Sequence, residues 1–517
     1  MSWSRLRCST PSGCRTLADV LVPGATPVDY PLADKIPEHI IGPESALDDL
    51  TIVVTGLGVS GYPMAVHLAE RGAHVICVDG DTQIDRSEHE KILRVFDVDI
   101  RRGPEHVTEL PTAPDGSLPD LVCTSQGWRP DQPLLVDAQA KGVPVIGEVE
   151  LAWRVRGVNS APWLVVTGTN GKTTATSMLA SMFQAAGVNA VACGNIGSPL
   201  LEAVLDPAAE VLAIELASFQ LHWQFSMCAD SAVVLNLAPD HVDWHGSYEN
   251  YVADKARVFS NVTKACVYNR EDVATRKLVE DAEVVAGARA VGFGLSVPGP
   301  GEFGLVEDVL VDRAFAPNRY SAALELANLD DVAQAAGTPT APAHYVMNAL
   351  AAAALARSID LPPVAVRDGL RSFAPGDHRL RVVKTSNDIT WVNDSKATNP
   401  HAATAALGSF DSIVWIAGGL PKGADYHDLV ESFKDRLRSV VVIGEDASAL
   451  DSALKASSVH TIRVEPGPRV MERAVEAAAT VAQAGDTVLL SPAAASMDQF
   501  TNYVERGDAF EQAVSEL

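Results

Sequence analysis

The sequence predicts an α/β protein of three domains: an N-terminal Rossmann-like unit, a central P-loop unit on a mononucleotide-binding parallel sheet, and a C-terminal Rossmann-like unit. Three observations carry that expectation. Apolar runs of strand length alternate with helix-patterned stretches from residue 50 onward, the pattern of βαβ units. Two of those runs break into a glycine turn that opens a helix, at Gly56–Gly61 and at Gly168–Gly171. A chain of 517 residues exceeds what one core serves, so about three domains of roughly 170 residues are the natural division.

Composition narrows the partners. Asp and Glu number 66 against 40 Lys and Arg, and the formal charge of -26 repels nucleic acid and anionic membrane surfaces at long range. The seven cysteines (Cys8, Cys14, Cys77, Cys123, Cys193, Cys228, Cys266) are scattered with no C-x-x-C pair, which fits a reducing compartment and argues against both a disulfide framework and zinc. No run of eighteen apolar residues occurs, and the Arg-containing N-terminus lacks the apolar core of a signal peptide. A cytoplasmic monomer without membrane insertion is expected.

Residues 1–47 mix Pro, Gly and polar residues without a period and read as a poorly ordered or peripheral extension. The first domain, 48–157, opens with a strand at Thr51–Thr55, the turn Gly56-Leu-Gly58-Val59-Ser60-Gly61, and a helix from Tyr62 to Arg71. A second strand, His74–Val78, ends in Asp79. A G-x-G-x-x-G turn followed by an acid at this distance marks a Rossmann unit. Alone it points to NAD, although such a turn can hold the pyrophosphate of any nucleotide. Leu121–Ser125 and Gly142–Ile146 supply further strands, and the first boundary falls at 157–162.

The central domain, 158–374, begins with the buried-strand run Trp163–Thr167 and the loop Gly168-Thr169-Asn170-Gly171-Lys172-Thr173-Thr174, then a helix to Gly187. Such a loop turns backbone N–H groups toward an anion, Lys172 adds a point charge, and the Thr173 hydroxyl can hold magnesium. Its glycines have two residues between them rather than the usual four. An apolar strand delivers Glu215 at its carboxyl end, another runs from Ser231 to Asn236 ahead of Asp240-His241, and a helix from Tyr248 to Phe259 carries Lys255. Strands ending in Thr167, Glu215 and Asn236 converge on the edge where open α/β sheets bind ligands. Thr173, Glu215 and His241 suit divalent ions that bridge phosphates. Singly, a strand-end glutamate can pair with a cation, a loop histidine can satisfy backbone and Lys255 can be solvated; jointly, behind a phosphate loop, they point to one site. Residues 297–343 read as an exposed insertion or loose hairpins, and His344–Ala356, with Asn348, as a helix returning to the core.

The last domain, 375–517, starts at Asp377-His378-Arg379-Leu-Arg381. Strands at Val382–Thr385 and Ile389–Val392 lead to the polar loop Asn393-Asp394-Ser395-Lys396-Ala397-Thr398. Further strands at Ile413–Ala417, Val440–Ile443 and Thr487–Leu490 alternate with a helix at Tyr426–Leu437, and Gly418-Gly419 and Lys422 follow the first of them. The chain closes with Ser491-Pro-Ala-Ala-Ala-Ser496-Met497-Asp498-Gln-Phe500 and Tyr503-Val-Glu-Arg506-Gly507.

With these residues in view, the chain from about residue 50 to its end resembles the Mur ligases. The loop Gly168–Thr174, Gly194-Asn195-Ile-Gly197, Glu215-Leu-Ala-Ser-Phe-Gln220 and Asp240-His241 carry the likeness. The Ser-Phe-Gln, Asn-Asp-Ser-Lys-Ala-Thr and Asp-Gln-Phe segments are most similar to the D-glutamate-adding branch. The resemblance implies ATP-driven amide synthesis: the carboxylate of UDP-N-acetylmuramoyl-L-alanine takes the γ-phosphate as an acyl phosphate, and the amine of D-glutamate displaces phosphate. It implies a catalytic set of Lys172, Lys255, His241 and His378, and two magnesium ions on Thr173, Glu215, His241 and Lys255, with Lys255 carbamylated. It implies ATP contacts at Gly168–Thr174, Asn348, Arg379, Asp394 and Lys396. The UDP-sugar falls to Val59, Ser60, Asp79, Asn195 and Gln220, and D-glutamate to Lys396, Thr398, Lys422, Ser496, Met497 and Tyr503. The first domain departs from the family pattern, with Asp79-Gly80-Asp81 and Ser125-Gln126-Gly127 where Asp-Thr-Arg and Ser-Pro-Gly are familiar. Another Mur-type ligase and a folylpolyglutamate-type ligase are the alternatives; an NAD oxidoreductase would leave the Lys172 loop without a task.

Overall fold

The computed structural model describes residues 30–517 other than His39, Val158, Pro375, Asp377 and Lys422. Three sheets follow one another along the chain. The first holds β1 (Thr51–Thr55), β2 (His74–Asp79), β3 (Asp99–Arg102), β4 (Leu121–Thr124) and β5 (Val145–Gly147). Its order is β3-β2-β1-β4-β5 with every pair parallel. The chain reverses its winding between β1 and β4, so the glycine turn after β1 opens at the crevice where such sheets take ligands. Gly61, the first residue of helix α1 (Gly61–Glu70), must be glycine: a Cβ there would lie 1.9 Å from the Gly56 carbonyl oxygen.

The second sheet contains β6 (Trp163–Thr167), β7 (Ala190–Gly194), β8 (Val211–Glu215), β9 (Ser231–Val234), β10 (Ala265–Asn269), β11 (Arg289–Phe293), β12 (Glu302–Val306), β13 (Val309–Asp312) and β14 (Leu324–Asn328). Its order is β14-β13-β12-β11-β10-β9-β6-β8-β7. β6 sits between β8 and β9 and is buried along its whole length, as its apolar run requires of a strand covered on both faces. Pairing is parallel from β7 to β12 and antiparallel from there to β14. The third sheet holds β15 (Arg381–Ser386), β16 (Ile389–Asn393), β17 (Ile413–Gly418), β18 (Leu437–Ile443), β19 (Thr461–Arg463) and β20 (Thr487–Leu490), in the order β15-β16-β20-β17-β18-β19. Among the described residues no helix is long and apolar enough to cross a membrane.

Five further helices shape the ligand side: α2 (Glu148–Val155), α3 (Lys172–Ala185), α4 (Leu200–Leu205), α5 (Ser218–His222) and α6 (Tyr248–Ala256). Beyond them, α7 (Ala343–Ser358) is buried over most of its length, and α8 (Tyr503–Ser515) closes the chain.

Three expectations need correction. Residues 30–47 are no loose extension: Ile36, Ile40 and Leu47 are buried in the core shared by the first and second sheets, and Tyr30 stacks on Phe225 at 3.9 Å while its hydroxyl donates to the Val145 carbonyl. Residues 1–29 lie outside the described ones. The 297–343 stretch is ordered into β12, β13, β14 and a helix at Leu329–Ala336, with Phe303, Leu310, Leu326 and Val332 in the core. Its Ala, Pro and acidic content hid short strands in which two or three adjacent residues are buried, without a clean alternation. The helix expected over Tyr426–Leu437 spans only His427–Phe433, because Leu437 begins β18 by pairing with Ile413.

Candidate active site

The carboxyl ends of β6, β8 and β9 face the third sheet across a cleft of about 780 Å³. The phosphate loop lies on its floor. Gly171, at φ +83°, is in left-handed backbone, and a Cβ on it would come within 2.4 Å of Asn348 Oδ1 from α7. The loop is anchored from the strand ends: Asn236 Oδ1 accepts from Asn170 N (2.9 Å), its Nδ2 donates to Asn170 O (3.1 Å), and its carbonyl accepts from Thr169 N (3.0 Å). Thr169 Oγ1 meets the Tyr251 hydroxyl at 2.7 Å, which ties the loop to α6.

The charged groups expected from the sequence gather on this floor. Lys172 Nζ donates to the carbonyls of Gly168 (2.9 Å) and Thr169 (2.8 Å). Thr173 Oγ1 donates to Glu215 Oε2 at 2.6 Å, and Asn195 Nδ2 donates to Glu215 Oε1 at 2.9 Å. Lys255, almost wholly buried, reaches from α6 behind the loop to Gly168 O (2.9 Å) and Thr167 Oγ1 (3.2 Å). Burial, followed by the neighbouring Lys172, pushes the Lys255 ammonium far below its usual range; burial also lowers Lys172. His241 lines the cleft in left-handed backbone, its Nε2 at 3.7 Å from Asp240 Oδ2. The hydrogen bonds of Lys255 run to the strand end and the phosphate loop.

From the third sheet, Asp394, Lys396 and Thr398 line the opposite wall together with Arg379, whose Nη1 approaches Thr174 Oγ1 at 3.5 Å. Asp394 is buried, accepts from Ser491 Oγ at 2.8 Å, and is pushed up to about 7 by burial. Lys396 Nζ stands 3.8 Å over the Tyr503 ring, a cation–π contact at the start of α8. Ser496 is buried and Met497 is exposed, and neither lines the cleft; Lys422 lies outside the described residues.

His378 does not join the cleft. Its ring is buried against α8, where Nδ1 accepts from Asn393 Nδ2 at 2.9 Å and Nε2 lies 3.5 Å from Asp508. It therefore braces the loop from behind, and its backbone carbonyl accepts from Lys396 N. In the first domain Val59 is exposed on the glycine turn and Ser60 is buried beneath it. Both oxygens of Asp79 are engaged by the backbone, from Leu57 N and Asp81 N at 2.9 Å each, so this carboxylate shapes the turn. Gln220 Oε1 accepts from Ala217 N, and its Nε2 is buried without a partner among the described residues.

Sequence reasoning missed several groups. Arg506, fully buried, donates to Ser395 Oγ (3.0 Å), Ser395 O (2.8 Å) and Ala494 O (3.0 Å), and so binds the 394–398 loop to the loop after β20. Asn399 and His401 meet Asn170 of the phosphate loop, the latter at 2.9 Å. Behind Lys255, Asp254 accepts from His222 and His245; burial opposes its charge, yet those bonds hold it at about 2. His245 Nε2 in turn meets Ser218 Oγ at 2.8 Å, which fixes α6 against α5.

A phosphate loop backed by a strand-end glutamate and faced by a second α/β unit has a counterpart in known proteins. Residues 166–356 match the Mur ligase middle domain, and residues 378–494 match the Mur ligase, glutamate ligase domain. The chain is 51% identical over 473 residues to UDP-N-acetylmuramoylalanine--D-glutamate ligase of Streptomyces avermitilis, a match that covers 90% of this chain and 98% of that protein. The chain is a Mur ligase. The protein of the same name from Thermobifida fusca is 51% identical over 475 residues, again covering 90% of this Mur ligase and 98% of the relative. Among solved structures, UDP-N-acetylmuramate-alanine ligase from Thermotoga maritima superposes with a TM-score of 0.52 at 19% identity, covering 90% of this chain and 99% of its own. A pseudomurein peptide ligase type C from Methanothermus fervidus gives 0.54 at 16% identity with the same coverage. At such identities the two structures speak for the fold, which is that of the three α/β sheets described above.

Proposed function

We propose that this Mur ligase joins D-glutamate to UDP-N-acetylmuramoyl-L-alanine at the expense of ATP, as the names of its relatives state for them. The observation that carries the reading is the cleft itself: a phosphate loop with Lys172, Thr173 and Glu215 on one wall, and Lys396, Thr398 and the Tyr503 end of α8 on the other. An oxygen of the substrate carboxylate attacks the γ-phosphorus and ADP leaves; the D-glutamate nitrogen then attacks the acyl carbon of the resulting acyl phosphate. Phosphate departs with that carboxylate oxygen, and the amine proton passes to solvent or to a cleft base. Two anions must meet in the first step, so the Lys172 ammonium and the loop N–H groups spread the charge while the three sheets hold the partners in line. Asn348 from α7 and the Arg379 and Asp394 wall frame the nucleotide. Val59, Ser60, Asn195 and Gln220, whose Nε2 is buried without a partner among the described residues, are assigned to the UDP-sugar.

The pair Thr173 Oγ1 and Glu215 Oε2, 2.6 Å apart at the mouth of the loop, fits one magnesium ion, which takes few protein ligands and completes its shell with phosphate and water. Magnesium there would neutralise phosphate charge as it develops. His241 would add a ligand from its side of the cleft. Burial, followed by the neighbouring Lys172, lowers the Lys255 ammonium well below its usual range, which favours the neutral amine, the form whose lone pair adds to CO2 with release of a proton. That direction agrees with the carbamylation that the resemblance to the Mur ligases implies at Lys255.

The direct test is ADP release with UDP-N-acetylmuramoyl-L-alanine and, in parallel, D-glutamate, L-glutamate, L-lysine or no amino acid. Stimulation by D-glutamate alone is expected. Stimulation by L-lysine alone would make this a ligase for a different stem residue.

A further inference from the structure

The residues assigned to divalent ions reach the cleft from separate pieces of chain. Glu215 ends β8 just ahead of α5, His241 precedes the short helix Val242–His245, and Lys255 stands on α6. Behind the phosphate loop these pieces are tied together by a closed set of hydrogen bonds that the reaction itself does not use. Ser218 Oγ of α5 lies 2.8 Å from His245 Nε2. His245 Nδ1 lies 2.9 Å from Asp254 Oδ2 of α6, and His222 Nδ1, at the far end of α5, lies 2.9 Å from the same oxygen. A carboxylate only accepts, so both imidazoles donate from Nδ1, and Nε2 of a neutral His245 accepts from the Ser218 hydroxyl. Each piece is thereby bonded directly to the other two.

The order Asp254, His245, Ser218 is that of a hydrolytic triad, but all three side chains are buried and none lines the cleft, so no substrate reaches the hydroxyl. What the set provides is register. Successive side chains on an α-helix stand about 100° apart, so holding Asp254 fixes the rotation of α6 and with it the heading of Lys255. His245 ends the short helix that His241 caps, and its backbone N–H donates to His241 O at 3.1 Å. Ser218 opens the helix that follows Glu215. The Phe219 ring also packs on His241 at 5.6 Å and on Trp244 at 6.0 Å, a less directional contact than a hydrogen bond. Tyr251 ties α6 to the phosphate loop rather than to the histidine turn. Burying a carboxylate costs free energy that an apolar pair would not. Such a pair could fill the space, but it could not specify the angle at which these segments meet.

We propose that His245 and Asp254 are positioning residues that set the spacing of Glu215, His241 and Lys255, and so the fit of the cleft to magnesium. Neither touches substrate or nucleotide. Groups that orient metal ligands are worth about ten- to a hundredfold in metal affinity, so opening the set weakens metal retention more than nucleotide binding.

This inference rests on the ligase reading, so the wild-type enzyme is assayed first: if it makes no ADP with its two substrates, that reading fails, while metal binding and hydrogen exchange still test the register. His245→Phe keeps a ring and loses both of its side-chain hydrogen bonds; Ser218→Ala loses one. The magnesium concentration for half-maximal ADP release should rise at least about tenfold in His245→Phe and about threefold in Ser218→Ala, with KM for ATP at saturating magnesium within about twofold. Ser218→Ala added to His245→Phe should cost nothing further, because the two share one bond. Manganese titrated into each protein with ADP, and followed by electron paramagnetic resonance, should weaken in the same order without turnover. In ligand-free protein, amides of 242–256 should exchange hydrogen faster in Ser218→Ala than in wild type, with the melting temperature nearly unchanged. If His245→Phe fails to fold, Ser218→Ala carries the test. Wild-type metal affinity in a folded variant, a rise in KM for ATP equal to that for magnesium, unchanged exchange at 242–256, or a wild-type protein that binds no manganese each overturns the proposal.

Discussion

Arg506 allows the amino-acid side of the cleft to be tested at one residue. Its guanidinium is fully buried, makes three hydrogen bonds to the 395 and 494 loops, and touches neither the phosphate loop nor the first sheet. Replacement by Met keeps the length and the apolar stem but leaves the Ser395 hydroxyl and carbonyl and the Ala494 carbonyl without their donor. Hydrogen bonds to a charged group are worth about 1.5–3 kcal/mol each in isolation. The desolvation that Arg506 already suffers, seen in its fall to about 10, offsets much of this. A net loss of about 3 kcal/mol in the ordering of the two loops is then expected, which corresponds to roughly a hundredfold. We expect kcat/KM for D-glutamate to fall by about that factor in Arg506→Met, while KM for UDP-N-acetylmuramoyl-L-alanine stays within about threefold. The assay is steady-state ADP release with each substrate varied in turn. A variant with D-glutamate kinetics within threefold of wild type would refute the reasoning, since loops with three orphaned acceptors would then be holding their shape unaided.

Other perturbations probe the remaining walls. Lys172→Met should lower kcat at least about a thousandfold, because the charge nearest the developing phosphate negative charge is lost; residual activity above a tenth of wild type would contradict its role. Lys255→Ala should be nearly inactive and indifferent to added bicarbonate, whereas wild-type enzyme depleted of CO2 should recover on bicarbonate addition; near wild-type activity of the variant would sink the carbamate assignment. Asp394 is pushed up to about 7 from an ordinary 3.8. Between those values the folded protein keeps a proton that the unfolded chain has lost, so stability falls as pH rises through this window and the loss is complete above it. Asp394→Asn should lack that fall, and parallel melting-temperature profiles of the two proteins from pH 4 to 8 would contradict the assignment.

What could be read from sequence was what short range determines. The phosphate loop was legible because its glycines, lysine and threonines lie within seven residues, and Glu215 because a strand of apolar residues ended on it. Glu148 could not be read in this way. Its backbone partner, Leu201 N, lies 53 residues away, and a glutamate opening a helix looks like an ordinary dipole complement. Arg506, 111 residues from Ser395, and His401, 231 residues from Asn170, were hidden for the same reason. His378 shows the opposite failure. The family resemblance placed it in the catalytic set, but its ring turns toward Asn393 and Asp508 behind the wall. β3, Asp-Ile-Arg-Arg, has no apolar pattern at all and becomes a strand only because β2 offers it an edge to pair with.

The central claim is that the cleft passes the γ-phosphoryl group to a carboxylate before the amine arrives. UDP-N-acetylmuramoyl-L-alanine carrying oxygen-18 in both carboxylate oxygens, incubated with ATP, D-glutamate and the enzyme, tests it by mass spectrometry of the released phosphate and of the product. The account predicts one oxygen-18 in the phosphate, one left in the new amide carbonyl, and no net product without D-glutamate. Phosphate free of label would mean that ATP is hydrolysed by water and that the carboxylate never receives the phosphoryl group, which would contradict the account.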